Sequence, residues 1–160
     1  LCRSDIYTYE GRRKEKSPTI LGHEIVGIVE EFGSSHSRID LRGNPIRIGD
    51  RITWAIYASN PEDIQSKRGI PQKAADLFKY GHEKVTAESS FHGGLSEYII
   101  LRKNTPVVLI KDEMPNSVAA LVNCSIATVS GFESPASVIH LSQTGILSFC
   151  LFQPLLIRAE

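Results

Sequence analysis

Short apolar runs, rather than long helical periods, dominate the chain up to Ile110. The longest of these runs, Pro18–Gly33, is rich in β-branched residues and predicts a strand. Two polar residues, His23 and Glu24, interrupt it. Burying an unpaired imidazole or carboxylate costs several kcal/mol, so both side chains need a partner. A metal ion or a hydrogen-bonded network would serve.

Other parts of the pattern predict further elements of a mainly β domain. Additional strands are expected in the runs 46–56, with a turn at Gly49-Asp50, 91–101 and 107–110. Residues 57–80 show no regular spacing of hydrophobic positions and contain prolines and charged residues. This pattern predicts a lobe or long loop outside the sheet. A helical pattern follows Pro115 and extends to Val129, and Cys124 would lie on it. A short helix is expected at 134–140.

Charge and cysteine content narrow the class of protein. The 160 residues carry 18 basic and 18 acidic side chains, so no net field favours nucleic acid or an anionic membrane. Three cysteines suit a reducing, cytoplasmic setting better than a disulfide framework, and Cys150 is interpreted as an incidental thiol. The apolar run Ile146–Ile157 is shorter than the roughly 20 residues of a membrane span. With nothing to pack on, it would form an exposed apolar patch or be disordered.

Cys2, His23 and Cys124 form a candidate metal-ligand set. Catalytic zinc sites take three protein ligands from Cys, His and carboxylate and leave one position open. Each residue alone also has a plainer explanation. Cys2 would be a chance thiol, His23 a hydrogen-bonded core histidine, and Cys124 a small helical hydrophobe.

Local motifs connect these residues. Cys2-Arg3-Ser4-Asp5, followed by Gly22-His23-Glu24, resembles the catalytic-zinc signature of the medium-chain zinc-dependent alcohol dehydrogenases. The resemblance continues through the segments 49–52, 93–98 and 123–128 and covers residues 1–131. Segments 79–83 and 123–128 look most like the threonine dehydrogenase-like branch, which includes members linked to phosphonate breakdown.

The resemblance implies a fold and a division of the chain. The expected fold is mainly β (α+β), a GroES-like partly open β-barrel with peripheral helices. Residues 1–131 would be this catalytic domain, truncated at its N-terminal side, and residues 132–160 a stub or aberrant tail. The sequence contains no GxGxxG segment, so the Rossmann domain that follows in the family is expected to be missing.

The resemblance also implies roles for the residues around the metal. Cys2, His23 and Cys124 match the ligands of one catalytic zinc, and Glu24 matches a carboxylate that can approach the metal during ligand exchange. Asp5 matches the carboxylate that orients the ligand histidine.

Two further residues match positions next to the substrate and cofactor. Ser4 matches the hydroxyl that hydrogen-bonds the alcohol and relays its proton. Arg3 lies where some members hold the cofactor pyrophosphate, and a solvated surface arginine is the alternative. Tyr7 stands where many members have a histidine that passes the proton on, and a phenol is the poorer base at neutral pH.

A lobe zinc is not expected. Many members fold this lobe around a structural zinc held by four cysteines, and the equivalent positions here are Asn60, Asp63, Ser66 and Ala74. None of these residues supplies a soft thiolate, so the sequence predicts no structural zinc. Asp63 and Glu62 are interpreted as solvated surface charges.

The implied function is that of a zinc-dependent alcohol dehydrogenase-like oxidoreductase. Zinc would polarise a small-molecule alcohol for hydride transfer to NAD or NADP, in a parent enzyme expected to be a homo-oligomer. Without the cofactor domain, the chain alone is expected to be inactive. The alternatives are a truncated, non-enzymatic zinc-binding or interaction module and a degraded gene product. No nucleic-acid or membrane partner is expected.

Overall fold

The computed structural model describes residues 1–34, 36–129 and 155–159. Its strands are β1 (Gly27–Phe32), β2 (Arg51–Trp54), β3 (Tyr57–Ser59), β4 (Leu77–Lys79), β5 (Tyr98–Leu101), β6 (Val107–Leu109) and β7 (Leu155–Ala159). Its helices are α1 (Arg3–Tyr9), α2 (Ile64–Lys67) and α3 (Asn116–Ala119), with a 3₁₀ turn (Pro71–Lys73) and a π-helical segment (Val122–Ile126). The predicted short helix at 134–140 and Cys150 lie outside the described residues.

Five strands form one antiparallel sheet in the order β5-β7-β1-β2-β6. Side chains alternate across it, so that Ile99 and Leu101 of β5 are buried while Tyr98 and Ile100 are exposed. The side chains on its buried face pack with Trp54 in the hydrophobic core. The described part of the chain therefore has the mainly β, open architecture with short peripheral helices that the sequence predicts.

Strand β7 corrects an expectation about the tail. The run Ile146–Ile157 was expected to be an exposed patch or disordered, yet Leu155–Ala159 pairs with both β1 and β5. Ile157 is fully buried in the core. A Cβ placed on Gly27 would lie 2.1 Å from Ile157 Cγ2, so the glycine makes room for this side chain. Strand β7 is therefore part of the same sheet as β1 and β5, while residues 146–154 of the run lie outside the described residues.

The predicted strand Pro18–Gly33 is also wrong in its first half. His23 and Glu24 lie in irregular backbone before β1, which begins at Gly27. Gly22 has φ +97° and accepts a hydrogen bond from the amide of Gly94 instead of joining a ladder. Since the backbone partners of this segment come from a neighbouring loop, β-forming composition does not produce a strand here.

Other strands are shorter than the runs that the sequence predicts. β2 begins only after the Gly49 turn, where Gly49 has φ +89°, and β5 occupies only the last four residues of 91–101. Pro115 caps α3, and the predicted helix continues as the π-helical segment before one more helical turn at 127–129. The expectation of a lobe between Tyr57 and Tyr80 is confirmed, because β3 and β4 form a separate two-stranded sheet among the described residues.

Asp63 links the two ends of this lobe. One carboxylate oxygen accepts the Gln65 amide at 2.7 Å and caps α2, while the other accepts the Ala75 amide at 3.2 Å. Asp63 is thus not simply a solvated charge, whereas Glu62 pairs with Lys67 on the surface. The amide hydrogen bonds lower the pKa of Asp63 below its ordinary value, the one from Gln65 most.

Replacing Asp63 with asparagine is expected to loosen the lobe. Asparagine still caps a helix but carries no charge for the amides of Gln65 and Ala75. Because the pKa of Asp63 is lowered on folding, its contribution is present above the unfolded pKa and is lost as pH falls through the folded pKa. Amide hydrogen exchange should therefore show faster exchange at Gln65 and Ala75 in the variant at neutral pH. Equal exchange rates at these amides would contradict the link.

No helix within the described ranges is long and apolar enough to cross a membrane.

Candidate metal centre

The three predicted zinc ligands lie together. The sulfur atoms of Cys2 and Cys124 are 3.9 Å apart, and Cys124 Sγ is 3.5 Å from His23 Nε2. All three donor atoms lie within 4.8 Å of one another, and they form the only such group of three within the described ranges. The residues come from the start of α1, the loop before β1 and the π-helical segment, so the fold assembles the group from distant parts of the chain.

These distances fit a tetrahedral zinc ion. Zinc–sulfur and zinc–nitrogen bonds of about 2.3 and 2.0 Å at tetrahedral angles place two sulfurs about 3.8 Å apart and a sulfur and a nitrogen about 3.5 Å apart. The observed 3.9 and 3.5 Å match both values. A disulfide needs a separation of about 2.05 Å, and Cys2 and Cys124 are free thiols. Two thiolates and one neutral imidazole leave a fourth zinc position open.

Asp5 fixes the orientation of the His23 imidazole. His23 Nδ1 lies 3.1 Å from Asp5 Oδ1, with both side chains almost fully buried. The carboxylate also accepts the amides of Cys2 at 3.0 Å and of Gly22 at 3.3 Å. Since Nδ1 donates to Asp5, Nε2 is left as the acceptor that faces the two sulfurs. Asp5 therefore orients one ligand and fixes the backbone of another.

Electrostatics within the group favour a bound cation. Burial opposes charge on Asp5, but the hydrogen bond and charge interaction with His23 outweigh it and lower the pKa of Asp5. Burial likewise opposes charge on His23, and Asp5 outweighs it and raises the pKa of His23. Burial and the neighbouring Cys2 raise the pKa of Cys124 to about 12. Two thiols this close cannot both ionise without a cation between them, so metal binding would release a proton.

The π-helical segment presents three consecutive side chains to the loop of His23. Asn123 Nδ2 donates to the carbonyl oxygens of His23 at 2.8 Å and Trp54 at 3.0 Å. Cys124 faces His23 Nε2, and Ser125 donates to Glu24 at 2.5 Å. π-helical turns are rare and are often found at functional sites. This turn therefore joins the Cys124 ligand to the segment that carries the other residues of the site.

Glu24 lies beside the donor group without being part of it. Its side chain is 4% exposed, and one carboxylate oxygen accepts the Ser125 hydroxyl. The other oxygen is 3.9 Å from the amino group of Leu1. The predicted role of Glu24 as an exchangeable ligand would require the carboxylate to leave Ser125.

The remaining predicted site residues lie on α1. The Ser4 hydroxyl hydrogen-bonds the Cys2 sulfur, which helps to lower the pKa of Cys2 although burial opposes this. Arg3 is exposed and donates from Nε to Tyr7 Oη at 2.7 Å, with its guanidinium 5.2 Å from the centre of the Tyr7 ring. Arg12 contacts the same ring. The structure thus brings Ser4 to the metal group and places Arg3 on the surface of α1.

One neighbour of the site has no signal in the sequence pattern. The ring of His82 lies 5.2 Å from the ring of His23 and 3.3 Å from Glu15 Oε1. Glu15 pairs with Arg13, and Lys16 with Glu83, so the charged loop after α1 is bound to the turn at 81–83. Only the fold reveals this contact, because His82 and Glu15 are far apart in sequence and belong to no ligand motif.

Comparison with known proteins places the chain in a family. Residues 1–112 match the family described as "Alcohol dehydrogenase GroES-like domain". The NADP-dependent alcohol dehydrogenase C of Mycobacterium bovis is 29% identical over 132 residues, which are 81% of this chain and 36% of that protein. The acryloyl-coenzyme A reductase of Sulfurisphaera tokodaii is 29% identical over 125 residues, 78% of this chain and 33% of that protein.

Solved structures agree with the fold. An alcohol dehydrogenase from Thermotoga maritima has a TM-score of 0.74 and 28% identity, covering 84% of this chain and 37% of that protein. Galactitol-1-phosphate dehydrogenase from Escherichia coli, at 23% identity and a TM-score of 0.64, shares the fold over 83% of this chain and 34% of its own length. The chain therefore spans about a third of these relatives. It belongs to the alcohol dehydrogenase GroES-like domain family, within the medium-chain alcohol dehydrogenases.

Proposed function

We propose that this chain is the zinc-binding catalytic part of an alcohol dehydrogenase-like oxidoreductase. The observation that carries the proposal is the group of Cys2, His23 and Cys124, whose sulfur–sulfur distance of 3.9 Å and sulfur–nitrogen distance of 3.5 Å suit tetrahedral zinc. Asp5 supports it further by leaving His23 Nε2 free to bind the metal. A zinc ion held there would act as a Lewis acid towards the oxygen of a small-molecule alcohol.

The protein's own side chains have defined tasks in this proposal. Cys2, His23 and Cys124 hold the metal, and Asp5 accepts a hydrogen bond from His23 Nδ1, so that Nε2 is the ring nitrogen directed at the metal. The Ser4 hydroxyl, next to the Cys2 sulfur, takes the proton from the alcohol and passes it outward. The Tyr7 hydroxyl already accepts the Arg3 donor, so Tyr7 is not assigned the next step of this relay.

The hydride acceptor is proposed by likeness to the relatives. An NADP-dependent enzyme is among them, so NAD or NADP would serve in a longer parent, with Arg3 as a residue facing the cofactor. We propose that residues 1–160 alone lack the nucleotide site and do not transfer hydride. A non-enzymatic zinc-binding module remains the second candidate. We further propose a cytoplasmic protein whose parent is a homo-oligomer.

Metal stoichiometry tests the site directly. Titration of the metal-free chain with Co²⁺, followed by its absorption spectrum, is expected to saturate at about one ion per chain. Thiolate-to-metal bands in the near ultraviolet and strong visible bands would report a tetrahedral site with sulfur ligands. The Cys150→Ser variant should give the same spectrum, because that thiol is not in the proposed set. Failure of the unmutated chain to bind Co²⁺ or Zn²⁺ would refute the proposed site.

Cofactor binding tests the proposal that residues 1–160 lack the nucleotide site. If residues 1–160 enhance or quench NADH fluorescence at micromolar concentrations, the proposal that they lack the nucleotide site is wrong.

A further inference from the structure

The contact between Ser125 and Glu24 involves none of the three donor atoms of the candidate metal group. Ser125 Oγ donates to Glu24 Oε1 at 2.5 Å across 101 positions of sequence. The Glu24 side chain is almost fully buried. A hydrogen bond to a buried carboxylate is among the stronger ones, so Ser125 restrains where this charge can lie.

The backbone fixes the relative positions of both partners. Glu24 follows the ligand His23, and Ser125 follows the ligand Cys124. Asn123 donates to the His23 carbonyl and so anchors the π-helical segment against the same loop. Each ligand is therefore followed by one member of the Ser125–Glu24 pair, and the carboxylate is held at the edge of the donor group. After burial and Cys2, the Glu24 charge also raises the pKa of Cys124, so the carboxylate lies close enough to this thiol to oppose its ionisation.

We propose that Ser125 is a positioning residue that holds the Glu24 carboxylate away from the metal and thereby slows metal exchange. This inference rests on the proposed zinc site. When the hydroxyl is present, it donates a hydrogen bond to the carboxylate, which then does not coordinate the metal ion. When the hydroxyl is removed, the carboxylate loses the donor that restrains it and can turn towards the nearest cation, which would be the metal. An added ligand lets one protein ligand leave, so exchange becomes faster.

A purely structural role would give a different result. If the Ser125–Glu24 hydrogen bond only fastened the π-helical segment to the loop, removing it would lower the stability of the metal-free chain. It would also loosen the metal whether or not residue 24 can coordinate. The positioning role acts through the carboxylate, so its effect must disappear when Glu24 is replaced with glutamine.

The test measures the release of bound Co²⁺ from the whole chain to excess chelator. Ser125→Ala is expected to speed release by about tenfold. This factor corresponds to the free energy of one hydrogen bond to a charged group. Ser125→Thr retains a hydroxyl and should restore the slow rate. Thr128→Ala, an exposed residue on the following helical turn, is the matched control and should leave the rate unchanged. The visible spectrum of Co²⁺ in Ser125→Ala should change towards higher coordination.

The Glu24→Gln background decides between the roles. Adding Ser125→Ala to Glu24→Gln is expected to change the release rate by less than about twofold. Release from Ser125→Ala at the unmutated rate would overturn the positioning role, and so would a tenfold acceleration that persists in the Glu24→Gln background. Both of these results leave the zinc site standing. An unmutated chain that takes up no Co²⁺ overturns the proposed function and this inference with it.

Discussion

Replacing Cys2 with serine is expected to lower the affinity of the chain for zinc by about a hundredfold or more. Structural zinc sites contribute about 10–16 kcal/mol through four ligands, so one thiolate is worth about 3 kcal/mol, or two powers of ten in affinity. Serine offers a hard, protonated oxygen in place of the thiolate. Competition with a chelator of known affinity, followed by metal analysis of the chain, measures the change.

The fold should survive this substitution. Cys2 caps α1, and its amide donates to Asp5 Oδ2 through the backbone, which serine leaves in place. Serine is itself a favoured N-cap residue. The circular dichroism of the metal-free variant should therefore match that of the unmutated chain, and Cys150→Ser is the control for loss of a thiol elsewhere. Equal zinc affinity in Cys2→Ser and the unmutated chain would exclude Cys2 as a ligand.

The donor group was predictable because its residues occur in local sequence motifs that indicate metal binding. Cys2, His23 and Cys124 have few other reasons to share a site, and the motifs around them match a known family. The fold brings their three donor atoms within 4.8 Å of one another. Asp5 was predictable from the same motif, and its carboxylate is found at His23 Nδ1.

The contacts around the donor group were not predictable, because they depend on backbone geometry. The sequence predicts a helix through Cys124, but only the π-helical turn directs Asn123 and Ser125 at the loop of His23 and Glu24. The irregular segment around His23 is likewise set by a neighbouring loop and not by its own β-forming residues. Local propensity cannot report partners that lie 100 positions away.

The tail shows the same limit on a larger scale. An apolar run without a clear period cannot be assigned to an element until its partner strands are known. Leu155–Ala159 becomes a strand because β1 and β5 each offer it an antiparallel edge. Nothing in the sequence of the tail identifies either partner, and the packing of Ile157 over Gly27 becomes apparent only in the fold.

Replacing Ile157 with alanine is expected to reduce the free energy of unfolding by about 2–5 kcal/mol. Ile157 is fully buried, and truncating a buried isoleucine removes its transfer free energy and leaves a cavity. The adjacent Arg158 is exposed and pairs with Glu30 at the surface, so Arg158→Ala should cost no more than about 1 kcal/mol. Urea unfolding of both variants, compared with the unmutated chain, measures the difference. An Ile157→Ala variant as stable as Arg158→Ala would mean that β7 does not complete the core.

A second substitution tests the contact itself. In Gly27→Ala the new Cβ would lie 2.1 Å from Ile157 Cγ2 and 2.8 Å from the Arg158 carbonyl oxygen, so this variant alone should also be destabilised. Ile157→Ala removes the first clash and leaves the second, which is with the backbone. The double variant should therefore be less destabilised than the two single effects added together, by about 1 kcal/mol or more. Simple additivity would show that Gly27 and Ile157 do not touch in solution, and that β7 does not lie against β1.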